Sequence, residues 1–246
     1  MSLRVARRAV ALGWALTINL LRYFSFRIRG PLSLEQRALW MHLAGATVLS
    51  SLGIHSRVEG DAPEGGLVVS NHLSYLDIVI LAASMRCFFL AKAEISSWPY
   101  FGLTARMGGT MFIDRSSRSS AVKVANEIAA RLPLPIPIVL FPEGTSTDGS
   151  SVLRFYTHLF EPAVRAASPV TAASVRYVFD DGTVERDLCW YGDEGFLPHL
   201  WRALGTPGFT AEIRFGVPRV YPDRRTAAAK THVEVTAMRS GPCVMS

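Results

Sequence analysis

Residues 68–81 read "VVSNHLSYLDIVIL". A short β-branched run ends at Ser70. Asn71, His72, Ser74 and Tyr75 then interrupt it, and an apolar run resumes at Leu76 with Asp77 inside it. The pattern predicts a buried strand closing at Ser70, a loop, and a helix from near Leu76.

The same alternation continues on both sides. "HSRVEG" and "GLVVS" read as strands around the turn "DAPEG". "CFFLAK", "TMFIDR" and "IPIVLF" read as buried strands, while "WPYFGLTARM" and "SSAVKVANEIAARL" read as helices. Short apolar strands alternating with helices predict an α/β fold with a mixed, largely parallel sheet flanked by helices. Further on, "VTAASVRYVF", "LCWYG" and "FTAEIRFGV" read as antiparallel additions, and "RTAAAKTHVEVTAMR" as a closing helix. No internal repeat or low-complexity segment interrupts the 246 residues.

The first part of the chain differs. "AVALGWALTINLL", thirteen residues between Arg8 and Arg22, carries no charge. That is short of the ~20 apolar residues a spanning helix needs. A basic start before an apolar core also suits a signal peptide, but no small-residue cleavage site follows. On a helical wheel Arg4, Arg7, Arg8, Arg22 and Arg29 share an arc of roughly 100°, with apolar residues opposite. This favours a helix lying in the membrane interface, arginines towards lipid phosphates. A tilted span with Arg22 snorkelling is the second reading, and a helix packed on the body the third. Gly30 and Pro31 end the segment. Ser33 and Gln36 then form a capping box for a second helix stopped by Gly53. Residues 1–53 are therefore expected to be a two-helix membrane-binding element, followed by an α/β domain over 54–246.

Composition agrees. The formal charge is +6, and the six arginines before residue 30 account for all of it. Mean hydropathy is +0.22 and the pI about 9.5. Charge gathered on an apolar N-terminal segment points to anionic membrane lipids, not to nucleic acid. Cys87, Cys189 and Cys243 have no paired spacing, which suits a reducing compartment.

In parallel sheets, sites form where loops leave the carboxyl ends of strands. Three polar clusters fall there: "NHLSYLD", "IDR" and "FPEGTS". On one helix His72 and Asp77 would point about 140° apart. They meet only if His72 sits in the loop and Asp77 in the first helical turn. Asp77 can then accept a hydrogen bond from Nδ1–H, which fixes the tautomer and leaves Nε2 free as a base. No serine stands ready as a nucleophile, so the proton belongs to a substrate hydroxyl. A capping or packing pair is the plainer alternative. Lys92 with Glu94, and Arg115, stand at strand ends where an anionic group can bind. A salt bridge between Arg115 and Asp114 is the alternative there. Pro142, Glu143, Gly144 and Thr145 form a strand-end turn able to aim N–H groups and a carboxylate at a polar ligand, with an ordinary loop as the alternative.

Together the blocks resemble the glycerolphosphate-type acyltransferases, most closely the bacterial lysophosphatidic acid acyltransferases. The blocks are NH-x4-D ("NHLSYLD"), K-x-E through P-x-x-G to FIDR, and "FPEGTS", over most of residues 67–178. The resemblance implies acyl transfer from acyl-CoA or acyl-carrier protein to a lysophospholipid hydroxyl, foremost 1-acylglycerol 3-phosphate. It implies His72 as general base and Asp77 as its orienting partner. Arg115, helped by Lys92, holds the phosphate, and Glu143, Gly144 and Thr145 line the acceptor pocket. It implies no metal, flavin or nucleotide cofactor beyond the thioester donor, and a place on the cytoplasmic face of the cell membrane.

Two departures bear on the acceptor. Where the family often has Phe-Lys-x-Gly, Phe155 is followed by Tyr156 and His158, and Ala172 replaces a proline. "WYGDEGFLPHLW", residues 190–201, is similar to a segment of members acting on lyso-ornithine lipids, the second expected acceptor. A non-catalytic lipid binder is a third possibility, disfavoured by the presence of both His72 and Asp77. A hydrolase passing the same proton to water is a fourth, supported only by Ser74.

Overall fold

The structure is a computed structural model that describes residues 3–98, 100–114 and 116–241. It begins with a helical hairpin, α1 (Leu3–Arg27) and α2 (Leu34–Leu52). The capping box forms: Gln36 N–H donates to Ser33 Oγ at 3.3 Å, and Ser33 N–H donates to Gln36 Oε1 at 2.9 Å. Gly53 ends α2 at φ +66°, a left-handed cap that favours glycine. Within the hairpin the buried Trp40 indole donates to Asn19 O at 2.9 Å, and the buried Asn19 amide donates to Ala44 O at 3.2 Å. A side chain on Gly45 would stand 2.8 Å from Ala83 N and 2.9 Å from Val79 O. Only glycine allows α2 to approach the following helix that closely.

The alternating elements follow: β1 (Ile54–Glu59), β2 (Leu67–Ser70), α3 (Leu76–Ser84), β3 (Phe88–Lys92), α4 (Phe101–Met107), β4 (Met111–Ile113), α5 (Arg118–Arg131) and β5 (Ile138–Leu140). Then come α6 (Glu161–Arg165), β6 (Val170–Val178), α7 (Phe196–Gly205), β7 (Phe209–Phe215) and α8 (Arg224–Ser240). The described strands form one seven-stranded sheet in the order β1-β7-β6-β2-β5-β3-β4. Strands β2 to β6 run parallel. Strand β7 opposes β6, and β1 runs with β7. The fold is thus the expected mixed, largely parallel sheet flanked by helices.

Successive strand residues feed opposite cores, as the pleat requires. Val68, Phe89 and Val139 pack beneath α2, α3 and α7, with Val5 of α1 in the same cluster. Leu67, Val69, Phe88, Ile138 and Leu140 pack beneath α5 and α8. Fully burying each such side chain stabilises by about 1.5–3 kcal/mol.

Four expectations change. Strands β1 and β2 do not pair across "DAPEG"; β7 and β6 lie between them. Strand β6 is parallel to β2, because its predecessor α6 carries the chain back before it starts. "LCWYG" is not a strand: Cys189 N–H returns to Arg186 O and Trp190 N–H reaches Leu73 O, so no ladder forms. The arginine arc of α1 also does not face outward as a whole. Arg4 and Arg8 donate to Gly205 O and Thr206 O at the C-terminal end of α7, and Arg22 donates to Asn19 Oδ1 at 3.1 Å and Thr47 Oγ1 at 3.3 Å. Cations at a helix C-terminus satisfy carbonyls that have no partner in the helix. What α1 exposes instead is an apolar stripe of Leu3, Val10, Trp14, Leu21 and Phe24. By length and composition α1 is able to cross a membrane. Cys87 and Cys189 are buried free thiols; Cys243 lies outside the described residues.

Candidate active site

The carboxyl ends of β2, β3, β4 and β5 share one edge of the sheet, because these strands are parallel. A cavity of about 470 Å³ opens there. His72, Tyr75, Lys92, Glu94, Gly144, Thr145, Phe141 and Trp190 are on its wall, and Leu90, Ile113, Leu140 and Leu159 make it largely apolar.

His72 stands in the loop after β2 and Asp77 in the first turn of α3. His72 Nδ1 lies 2.9 Å from Asp77 Oδ2. The aspartate is fully buried and the histidine 18% exposed towards the cavity. Asp77 Oδ2 also accepts from Leu73 N–H at 2.6 Å and Ser74 N–H at 3.1 Å, and Oδ1 accepts from the Tyr177 hydroxyl. Only donors face it, the surroundings of a carboxylate, so the proton of the pair sits on His72 Nδ1. No hydrogen bond to Nε2 occurs among the described residues, and His72 lines the cavity. The imidazole lies flat on Phe141, centroids 4.0 Å apart and planes at 18°.

The backbone of His72 is held from both sides by the loop after β5. Its N–H donates to Glu143 Oε1 at 2.8 Å, and its carbonyl accepts from Thr147 N–H at 2.9 Å. Glu143 Oε2 accepts from Leu153 N–H at 2.7 Å. Glu143 was expected on the acceptor pocket; it is 3% exposed and lies beneath the cavity wall. Both its oxygens are consumed by backbone N–H groups, so its work is to place His72. Burial raises its pKa above the usual carboxyl range, and the N–H donors of Leu153 and His72 oppose that shift.

Gly144 and Thr145 line the cavity, with Gly144 at φ +76° in the turn. Lys92 ends β3 and lines it too. Arg115 lies outside the described residues. The departures expected to mark the acceptor site fall away from it. Phe155 is buried against Phe160 and His232, Ala172 is buried in β6, and neither Tyr156 nor His158 lines the cavity.

Sequence reasoning missed three features. Asn71 bridges to β6: its amide donates to Val175 O at 3.1 Å and accepts from Val175 N–H at 2.9 Å. It stands in the quoted motif, and a buried asparagine after a strand is a signal that could have been read. Tyr75, Trp98, Phe101, Trp190 and Phe196 form an aromatic wall on the cavity. Behind it His199, fully buried, accepts from the Tyr75 hydroxyl at 3.0 Å and donates to Leu188 O at 2.9 Å. Burial lowers the pKa of His199, so the ring remains neutral. Residues 190–201 thus build this wall and begin α7. Ser74, the remaining candidate nucleophile, is buried with its hydroxyl on Tyr177 at 3.0 Å and accepts from Leu76 N–H.

A family model described as Acyltransferase matches residues 54–176. The chain is 39% identical over 180 residues to the lyso-ornithine lipid O-acyltransferase of Brucella abortus (strain 2308), covering 68% of this chain and 67% of that protein. It is 34% identical over 174 residues to the 1-acyl-sn-glycerol-3-phosphate acyltransferase of Neisseria meningitidis, covering 70% and 68%. The crystal structure of the 1-acyl-sn-glycerophosphate acyltransferase from Thermotoga maritima shares the fold: TM-score 0.68, 20% identity, covering 98% and 97%.

Proposed function

The chain belongs to the acyltransferase family, and on that premise we propose that it moves a fatty acyl group from a thioester to the free hydroxyl of a lysolipid. The observation that carries this reading is the dyad: a base with its second nitrogen open to an apolar cavity and its first tied to a buried carboxylate. His72 Nε2 takes the hydroxyl proton as the oxygen attacks the thioester carbonyl. The tetrahedral intermediate collapses, the C–S bond breaks, and the thiolate receives the proton from His72. Asp77 stabilises the imidazolium between the two steps. The donor is acyl-CoA or acyl-carrier protein.

The first acceptor is 1-acylglycerol 3-phosphate, its phosphate drawn to Lys92 at the cavity wall. Gly144 and Thr145 flank it. A second acceptor, lyso-ornithine lipid, is favoured by one observation: Trp190 and Phe196, from the segment similar to that of members acting on lyso-ornithine lipids, form part of the wall. The buried positions of Ser74 and its hydroxyl leave a serine hydrolase without a nucleophile. The exposed apolar stripe of α1 associates with the membrane, and Arg7 and Arg27, both exposed, meet anionic lipid at its cytoplasmic face.

The test is thioester consumption by the purified protein with either acceptor and with none. Turnover with 1-acylglycerol 3-phosphate supports the first acceptor, and turnover confined to lyso-ornithine lipid supports the second. Thioester loss without an acceptor would remove acyl transfer to lipid as the function.

A further inference from the structure

Tyr177 stands behind the dyad, and nothing in the acyl-transfer chemistry above uses it. It is 3% exposed on β6, packed against Phe209 at 4.9 Å between ring centroids. Its hydroxyl meets two partners, Asp77 Oδ1 and Ser74 Oγ. The direction of each bond follows from proton counting. Asp77 already receives His72, Leu73 and Ser74 donors on Oδ2, and a carboxylate oxygen accepts only, so the phenol proton points to Oδ1. Ser74 Oγ accepts from Leu76 N–H at 3.0 Å and so gives its own proton to the phenol oxygen. The result is a chain that converges on the carboxylate: Ser74 O–H donates to Tyr177, Tyr177 O–H donates to Asp77 Oδ1, and His72 Nδ1–H donates to Asp77 Oδ2. Burial first, and then the Asp77 charge, hold the phenol well above its ordinary pKa, so it remains a donor.

Tertiary structure brings this phenol to the site with little freedom. Strand β6 pairs with β2, which ends one residue before Asn71. The Asn71 side chain then takes both backbone groups of Val175, two residues before Tyr177. Residues two apart on a strand share a face, so fixing Val175 fixes where Tyr177 points. Tyr177 N–H donates to Glu185 Oε1 at 2.7 Å, and Glu185 is held by Arg239 of α8 at 2.9 and 2.7 Å. Among the described residues, the phenol is the one side-chain donor to the buried Asp77 Oδ1.

We propose that Tyr177 is a positioning residue of the reaction, locking the Asp77 carboxylate and through it the tautomer and orientation of His72. The inference rests on the acyl-transfer reading above. Tyr177→Phe keeps the ring and its packing and removes only the donor. With the full chain and whichever acceptor the wild type uses, kcat is expected to fall about ten- to a hundredfold, with KM within about twofold. The acid limb of the kcat profile moves to higher pH, because a carboxylate stripped of one donor attracts the dyad proton more strongly. Ser74→Ala, which weakens the same chain one bond further back, shifts the limb in the same direction by less.

A Tyr177→Phe enzyme with wild-type kcat and an unmoved acid limb would overturn the proposal. So would a loss of kcat that tracks a lower melting temperature with the limb unmoved, which marks a merely structural tyrosine. If Tyr177→Phe does not fold, an unmoved limb in Ser74→Ala overturns it equally. A wild-type enzyme with no acyl transfer would bring down the underlying reading, whereas an active wild type matched by both variants brings down only this one.

Discussion

The sheet edge around His72 and the outer face of α1 are opposite solutions to the same problem of exposed groups. At the edge, each polar atom of the dyad except one has a protein partner: Asp77 accepts on both oxygens, and His72 is held at its N–H, its carbonyl and Nδ1. The exception, Nε2, faces the cavity. On α1, Arg4, Arg8 and Arg22 find partners in α7 and α2, while Leu21 and Phe24 stay 64% and 61% exposed. The difference teaches where each region draws its order. The dyad is held in place by the protein's own backbone, which on the proposed reading spares the base any rearrangement. The outer face of α1 is complete only against an apolar phase.

The largest test of this contrast is His72→Ala. It removes the one open nitrogen and should lower acyl transfer by about 10²–10⁴-fold while leaving the melting temperature near that of the wild type. Steady-state kinetics beside thermal unfolding would check it, and substantial residual turnover would remove His72 as the base. Next comes Glu143→Gln. An amide offers one acceptor where two N–H groups need two, so the His72 clamp loses a bond and gains a donor clash. A cost of about 1–3 kcal/mol should appear in kcat more than in KM. An effect confined to KM would return Glu143 to the acceptor pocket.

The α1 side is sharpened by a pair of substitutions. Phe24→Ala should weaken binding to anionic vesicles about tenfold, since burying a phenylalanine contributes about 1.5–3 kcal/mol, with no loss of thermal stability. Arg8→Ala should do the reverse, lowering the melting temperature through the lost bond to Thr206 while vesicle binding changes little. Equal vesicle effects from both would restore the outward-facing arginine reading. The smallest effect concerns pH. His199 is buried with its pKa below the ordinary 6.5, whereas in the unfolded chain it titrates near that value. The unfolded state therefore binds more protons just below pH 6.5, and stability falls as pH drops through that window. His199→Gln should flatten this part of the melting-temperature profile; an unchanged slope would assign it to other groups.

Much of the fold was legible because hydrophobic period reports burial directly. The β2–loop–α3 unit was read to within a residue, as was α2 with its capping box and its stop at Gly53. His72 with Asp77 was legible because the pair is local, five residues apart across a strand end. "LCWYG" misled because buried aromatic and sulfur-bearing residues look alike in a strand and in a loop that seals a core. α7 was not foreseen at all, since "FLPHLW" carries a proline near its start and a length too short for periodicity to decide.

Sequence by itself determined most element types, the parallel core and the local pairing of His72 with Asp77, all of which depend on near neighbours along the chain. Tertiary structure alone decided strand order, the docking of Arg4, Arg8 and Arg22 on α7 and α2, the place of Glu143 beneath the cavity wall against His72 N–H, and the meeting of Tyr177 with Asp77 across 100 residues. Hydrophobic patterning specifies which face of an element is buried, but not which element buries it. A hydrogen bond between distant residues exists only once packing has chosen the partner.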